Sequence, residues 1–157
     1  RFYSDTTNRK YGSAYLNHAF FCGLRDRLSH RAHLALAFDG EEPVAGALFL
    51  EKDDRLIGRY WGTSGCAPHV HFELCYYMPL ERCLTRGLTR FEAGAQGEHK
   101  IKRGLLPHET HSASWFSVPG LGDAVGRFLE EERTAMVTEM AWLEEHGPFR
   151  KGEPSPG

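Results

Sequence analysis

The chain has 157 residues, of which 41% are hydrophobic and 25% are charged, and its formal net charge is −2. This length suffices for one well-packed domain, and the composition excludes a disordered chain and a protein that coats nucleic acid. No apolar run reaches the roughly 20 residues that span a bilayer, and the first residues do not resemble a signal peptide, so a cytoplasmic location is predicted. A start at Arg1 instead of Met leaves open that a preceding half of the protein is missing.

The first 61 residues predict two helices followed by three strands. A break near Gly12 separates the helices, and Asn17 is suited to cap the second one. Its apolar face has helical spacing and consists of Phe20, Phe21, Leu24 and Leu28. Antiparallel strands are predicted over residues 33–38, 44–51 and 55–61, with turns at Asp39-Gly40 and Asp53-Asp54. The first two strands are apolar on both alternations, so helices are expected on both faces of the sheet.

A long helix is predicted from about His69 to Arg86, ending at Gly87. Its expected apolar stripe consists of Phe72, Cys75, Tyr76, Leu80, Cys83 and Leu84. Pro79 fits this helix poorly because it removes a backbone hydrogen bond, so a kink or a division into two segments is expected there. Residues 88–93 then predict a strand whose direction depends on how the helix returns.

The last third of the chain predicts a basic turn at 101–106, a strand at 110–118 and a final helix from Asp123 to near Gly147. That helix is expected to cover a sheet face or a partner subunit. Residues 151–157 have nothing to bury and predict a disordered tail. The whole pattern therefore predicts one α+β domain over residues 1–150, with a mixed, mostly antiparallel sheet between helices.

The stretch Phe91 to Lys100 carries the densest chemistry in the chain. It reads as a strand end, a glycine turn at Gly94 and Gly97, and the start of a short helix. Such a position at the end of a strand is where α/β sheets place ligands. The polar groups available there are Gln96, Glu98, His99 and Lys100. A plain turn before a solvated helix remains the alternative, since two glycines spaced G-x-x-G are a weak signal.

Other site classes are poorly supported by the sequence. Cys66, His69, His71 and Glu73 are potential zinc ligands, but no H-E-x-x-H motif is present, and no metal site is predicted. A hydrolase is disfavoured because G-x-S-x-G is absent. The four cysteines lack C-x-x-C spacing and are expected to be reduced thiols. Aromatic residues that could line a groove, or belong to the core, are Tyr60, Trp61, Tyr76, Tyr77 and Trp115.

Several runs resemble the Fem-like predicted N-acyltransferases of the GNAT superfamily, which are linked to peptidoglycan biosynthesis. These runs are Arg59-Tyr60-Trp61-Gly62, His71 to Tyr77, Gly87 to Lys100, Arg103-Gly104, Pro107, Thr110 and Ser112. The resemblance covers about Tyr11 to Glu132, and its most specific part is Gly-Ala-Gln-Gly-Glu-His-Lys. It implies a GNAT-like fold and acyl transfer to an amine. The implied donor is acyl-coenzyme A, or aminoacyl-tRNA in the peptidoglycan-bridge branch, with no bound cofactor.

Acyl transfer needs a base for the amine, and Glu98, His99, His71 and Glu73 are the candidates. Oxyanion donors are expected from Gln96 and the backbone near Gly97, and Lys100 and Arg103 are expected to hold phosphate or carboxylate. Tyr60 and Tyr76 complete the predicted donor or substrate site. The alternatives are that Glu98 and Lys100 only cap the turn, or that the chain is a half-domain that binds a cell-wall peptide or a protein without catalysis. A tRNA partner and a homo-oligomer also remain open.

Overall fold

The computed structural model describes residues 1–65, 68–94 and 98–149, and only the backbone of Lys10, Tyr11, Glu98, His99 and Pro119. The helices and strands are α1 (Phe2–Tyr11), α2 (His18–Leu28), β1 (Ala32–Asp39), β2 (Glu42–Lys52), β3 (Arg55–Thr63), α3 (Val70–Phe72), a π-helical turn (Glu73–Tyr77), α4 (Met78–Arg86), β4 (Arg90–Glu92), a 3-10 helix (Glu98–Arg103) and α5 (Pro119–Glu145). Residues 1–95 and 96–157 form two compact units, and each is described by itself. The single domain over 1–150 stays a prediction, and the tail at 151–157 lies outside the described residues.

The first unit contains one four-stranded sheet in the order β1-β2-β3-β4. The first three strands are antiparallel, as predicted, and β4 pairs parallel to β3 with Leu56 opposite Phe91. Gly40 has a φ of 58° and Asp53 a φ of 56°, and these left-handed residues close the two hairpin turns. The mixed α+β fold class read from the sequence is therefore confirmed.

Helix α1 lies against β3 because two facing glycines leave room for it. Gly46 and Gly62 are cross-strand partners on β2 and β3, and a methyl group on either one would contact Phe2 of α1. Strand glycines often mark such a close approach of another backbone. Helix α2 follows on the same side and begins as predicted, since the Asn17 side chain accepts a hydrogen bond from the Phe20 N–H at 3.0 Å.

The other face of the sheet carries the core. Small side chains on the strands, Ala45 and Ala47, let the helical segment of residues 70–86 approach closely and bury Leu74 and Cys83. Because successive strand residues alternate between faces, this core lies on the side of the sheet opposite to Gly46 and α1. The expectation of helices on both faces is confirmed.

The segment of residues 70–86 accommodates Pro79 through the π-helical turn before it. In that turn the Met78 N–H bonds to the Glu73 carbonyl, five residues back, and Pro79 then occupies the first turn of α4, where a missing N–H costs little. The extra residue rotates the buried face, so part of the predicted stripe is wrong: Leu84 is 84% exposed. Gly87 ends α4 in the predicted left-handed conformation, with φ 67°.

The second unit contains the 3-10 helix, an irregular stretch and α5. The strand predicted at 110–118 is wrong, because every residue from 108 to 118 is exposed and its alternation has no buried face to match. Helix α5 begins at Pro119 rather than at Asp123, since a proline is well suited to the first helical turn. Its apolar stripe divides into half-buried residues, among them Leu129 and Met140, and exposed ones, among them Phe128 and Val137.

Candidate functional site

A cavity of about 560 Å³ lies between the sheet and helices α1 and α2 in the first unit. Its volume falls within the range of about 300–1,000 Å³ that is typical of ligand pockets. The floor is apolar and comes from the strands, with Leu34 opposite Leu48 and Leu36 opposite Gly46. Phe21 and Leu24 of α2 form the facing wall. The α2 face that the sequence assigned to packing therefore lines a cavity.

Tyr3 and Tyr60 line this cavity, and Tyr15 contacts both of them from outside the lining. The hydroxyl oxygens of Tyr15 and Tyr60 are 2.7 Å apart and share a hydrogen bond. The ring of Tyr3 contacts both, with centroids 5.0 Å from Tyr60 and 6.0 Å from Tyr15. The Tyr3 hydroxyl accepts a hydrogen bond from the Leu16 N–H at 3.1 Å, which fixes the linker between the helices. Tyr60, a predicted substrate-binding residue, thus stands in a defined hydrogen-bonded pair.

Tyr60 stays protonated over the physiological pH range. Burial, and then the hydrogen bond with Tyr15, raise the pKa of Tyr60 from 10.0 to about 12, although the guanidinium of Arg59 acts in the opposite direction. That guanidinium lies 5.1 Å from the ring centroid of Tyr60. In the pair, either hydroxyl can donate to the other, and the O–H of Tyr60 is available to a ligand in the cavity when Tyr15 is the donor.

The rim of the cavity is basic. Arg1, His18 and Arg25 line it, and no aspartate or glutamate occurs among the described residues of the lining. Two acids outside the lining reach the arginines: Glu42 bonds Arg1 and Asp26 bonds Arg25, each at 2.7 Å. Each ion pair occupies one of the five donors of its guanidinium, so further donors remain for an anion.

His71, a predicted base, lies in an aromatic cluster on the core face of the sheet. Its ring packs edge-on against Trp61 at 5.1 Å and Tyr76 at 5.7 Å, and it also contacts Phe72. His71 and Tyr76, both predicted site residues, are therefore brought together. Tyr60 and Trp61 are neighbours on β3, and their rings contact opposite sides of the sheet, so Tyr60 does not join this cluster. Glu73 is exposed on the π-helical turn.

The other predicted residues belong to the second unit, on or just before the 3-10 helix. Gln96 and Gly97 lie outside the described residues, as do the side chains of Glu98 and His99. Lys100 is half-buried and Arg103 is exposed. The roles of these residues and their placement in one recess stay predictions.

A polar cluster that the sequence did not suggest joins β1, β2 and α4. Arg82 donates to Glu51 Oε2 through Nη2 at 2.8 Å, and His33 Nε2 lies 2.9 Å from the same oxygen. The hydrogen bond from Arg82 is the largest cause that lowers the pKa of Glu51, and burial followed by the charge of Arg82 lowers the pKa of His33. His33 Nε2 also lies 3.0 Å from Arg82 Nη2, so the tautomer of the imidazole decides whether this nitrogen donates to Glu51 or accepts from Arg82. The cluster ties the helix to the sheet.

Potential metal ligands and thiols are dispersed in the described part of the chain. No group of three or more His, Cys, Asp or Glu side chains there is placed to hold a metal ion. Cys22 and Cys83 are free thiols, and burial raises the pKa of Cys83. Across the described ranges, no helix combines the length and the apolar character needed to cross a membrane.

Sequence reasoning missed the cavity, although a signal for it was present. Gly46 and Gly62 interrupt two apolar strands, and interior strand glycines mark places where another backbone or a ligand comes close. Tyr15 lies in the linker between the two helices, where a large aromatic residue is not required for a turn. These features together point to the face of the sheet that contains the cavity.

Comparison with known proteins gives one finding. A family model named FemAB-like, with the description peptidoglycan biosynthesis/recognition, matches residues 1–151. No protein of curated function matches the chain, and no solved structure matches it.

Proposed function

Because the chain belongs to the FemAB-like family of peptidoglycan biosynthesis/recognition, we propose that it is an N-acyltransferase with a peptidoglycan-related role. In this proposal it moves an acyl or aminoacyl group from a thioester or ester donor to an amine. The donor is acyl-coenzyme A or aminoacyl-tRNA, and the acceptor is an amine-bearing cell-wall precursor.

The observation that carries the proposal is the cavity of about 560 Å³ beside the Tyr15–Tyr60 hydroxyl pair. An acyl donor needs an apolar surface for its chain and a hydrogen-bond donor for its carbonyl oxygen. The leucine floor supplies the first. The second is the O–H of Tyr60, which lines the cavity and is available when Tyr15 is the donor within the pair. Because Tyr60 keeps its proton at neutral pH, it is then suited to donate to an oxygen that gains negative charge.

The proposed reaction has a simple balance. The amine nitrogen attacks the carbonyl carbon, the C–S or C–O bond to the leaving group breaks, and an amide forms. A base removes one proton from the amine, and the thiolate or alkoxide that leaves takes up one proton. The base is proposed among Glu98 and His99, with Gln96, Gly97, Lys100 and Arg103 binding donor or acceptor. His71 and Tyr76 contact the other side of the sheet from the ring of Tyr60, so they and Glu73 of the same helical segment are not assigned to a carbonyl bound in this cavity.

Thermal-shift measurements with acetyl-coenzyme A, longer acyl-coenzyme A and charged tRNA test the proposal first. Ligand that binds only the folded protein raises the unfolding temperature, so at least one donor should stabilise the chain. A transfer assay then follows labelled acyl groups into an amine-bearing muropeptide. If no donor stabilises the chain but the muropeptide does, the protein is a binding module, the alternative that "recognition" in the family description allows.

Matched variants locate the chemistry. Tyr60→Phe removes the hydroxyl at the cavity and should lower transfer by about tenfold to a hundredfold, since one oxyanion donor contributes at least this much in other enzymes. Tyr77→Phe is the control, because Tyr77 is 60% exposed and does not line the cavity. Glu98→Gln and Lys100→Ala should each lose turnover, and full turnover in both would remove these residues from the mechanism.

A further inference from the structure

We propose that the cavity binds an amphiphile with a linear apolar chain and an anionic head group, so that the preferred acyl group is a long fatty chain. The binding claim stands on the cavity alone, and the claim about the acyl group rests on the proposed function. Such a preference separates a fatty acyl donor from acetyl and from polar aminoacyl groups.

The floor of the cavity selects for an apolar chain. Leu34, Leu36 and Leu48 come from paired strands and form a continuous surface without a polar side chain. Leu34 is 63% exposed although Leu48 lies opposite it on β2. A polar aminoacyl group laid against this surface would lose its hydrogen bonds to water without replacement. An alkyl chain loses none.

The rim selects for an anionic head. Arg1 is on one side of the cavity, and His18 and Arg25 are on α2. The acids that reach the two arginines, Glu42 and Asp26, stand outside the lining and leave guanidinium donors unused. A carboxylate or a phosphate accepts such donors in charge-assisted hydrogen bonds. A cationic head would meet two arginines at this rim and no carboxylate among the described lining residues.

Chain-length dependence is the primary test. Binding of acetate, hexanoate, dodecanoate and hexadecanoate to the full chain is measured by calorimetry below their micellar concentrations. Each added methylene that reaches the floor should tighten binding by about fourfold, until the cavity is full. Equal affinity for acetate and hexadecanoate, or no binding of either long chain, would overturn the proposal.

The head group is tested at constant chain length. Dodecanoate and dodecyl phosphate should bind, and dodecyltrimethylammonium should not. Inorganic phosphate alone should bind weakly, because it lacks the chain; tight binding of inorganic phosphate would show a simple anion site and contradict the proposal. Tighter binding of dodecanoate than of dodecyl phosphate would indicate a fatty acid or its thioester as the source of the chain. The reverse order would indicate a lipid phosphate.

Two pairs of variants check the location. Leu34→Trp fills the cavity from an exposed position and should abolish hexadecanoate binding, whereas Phe38→Trp, on the same strand, 56% exposed and outside the lining, should not. Arg25→Gln should weaken binding by about threefold to tenfold, whereas Arg27→Gln, on the same helix but outside the lining, should leave it unchanged. Equal losses within either pair would overturn the location.

Three further readouts separate the possible failures. Circular dichroism should give the same unfolding midpoint for Leu34→Trp and Phe38→Trp, which excludes misfolding as the cause of lost binding. Hexadecanoate binding without any acyl transfer would retain the site and reject the proposed function. Transfer of acetyl groups without hexadecanoate binding would do the reverse. A dimer that Leu34→Trp dissociates, with no fatty acid bound, would assign the cavity to a second copy of the chain and refute the proposal.

Discussion

The contact between α1 and β3 predicts a specific cost for adding one methyl group at Gly62. A Cβ there would lie 2.3 Å from the carbonyl oxygen of Phe2 and 2.6 Å from its carbonyl carbon. Both are backbone atoms, so no side-chain rotation relieves the overlap, and the first turn of α1 has to retreat by about 1 Å to reach an ordinary contact. Overpacking of this kind costs about 1–3 kcal/mol.

An opposing effect has to be subtracted. Alanine restricts the unfolded chain more than glycine does, which stabilises a compatible site by about 0.4–1 kcal/mol. Gly62→Ala should therefore lower the free energy of unfolding by about 1–2 kcal/mol. Because Phe2 and Tyr3 line the cavity, retreat of α1 should also change its volume and weaken ligand binding.

The assay is urea unfolding followed by the methyl signals of Ala45 and Ala47, which report on the core of the first unit. Gly58→Ala is the control, since it lies on the same strand and its added Cβ meets the nearest atom, the Glu92 carbonyl oxygen, at 3.3 Å. The control should stay within about 0.5 kcal/mol of the parent. Equal stability of Gly62→Ala and Gly58→Ala would refute the reasoning.

Two further predictions concern ionisable groups. Tyr15→Phe should lower the midpoint of the Tyr60 phenolate titration, followed by ultraviolet absorbance, below about 12. Because the pKa of Tyr60 is raised in the folded chain, Tyr60 stabilises the fold fully below pH 10.0 and loses this contribution as the pH approaches about 12. Arg82→Met should raise the pKa of His33, measured from its ring-proton shifts, and cost about 1–3 kcal/mol at neutral pH by leaving Glu51 without its cation. The pKa values of Glu51 and His33 are both lowered in the folded chain, so each group stabilises the fold when it is deprotonated. This stabilisation is lost on acidification, below pH 6.5 for His33 and then below pH 4.5 for Glu51. If the stability of Arg82→Met fell with decreasing pH in the same way as that of the parent, this account would be contradicted.

The elements that depend on local chemistry were predictable from the sequence. The hairpin turn at Asp39-Gly40, the cap at Asn17 and the helix end at Gly87 each depend on one residue type with a known backbone preference, and all three are confirmed. The direction of β4 was left open because it depends on how a helix returns over the sheet, which no local pattern encodes.

Features that depend on distant partners were not predictable. The strand expected at 110–118 has suitable alternation but no strand partner in the described structure, and alternation alone does not supply one. The cluster of His33, Glu51 and Arg82 joins three elements far apart in sequence.

In the candidate site, too, local features were predictable from the sequence and the arrangement of distant residues was not. Three site residues predicted from the sequence contact other aromatic rings, namely Tyr60, His71 and Tyr76. His71 and Tyr76, however, lie on the opposite side of the sheet from the ring of Tyr60. Periodicity assigns a residue to a helix or a strand, and it does not tell whether the face it lies on is filled by packing or left hollow. The functional roles assigned to the glycine turn after β4, where most of the predicted site residues lie, remain a prediction.

The number of residues in the π-helical turn, rather than the identity of their side chains, determines where His71 lies. One additional residue in a helix rotates the residues before it by about 100° relative to the residues after it. The imidazole therefore meets Trp61 only because the turn at Glu73–Tyr77 is one residue longer than an α-helical turn, while α4 independently anchors Cys83 in the core. Deletion of one residue other than Tyr76 in this turn would rotate the histidine away from Trp61 while leaving its aromatic partners in the chain.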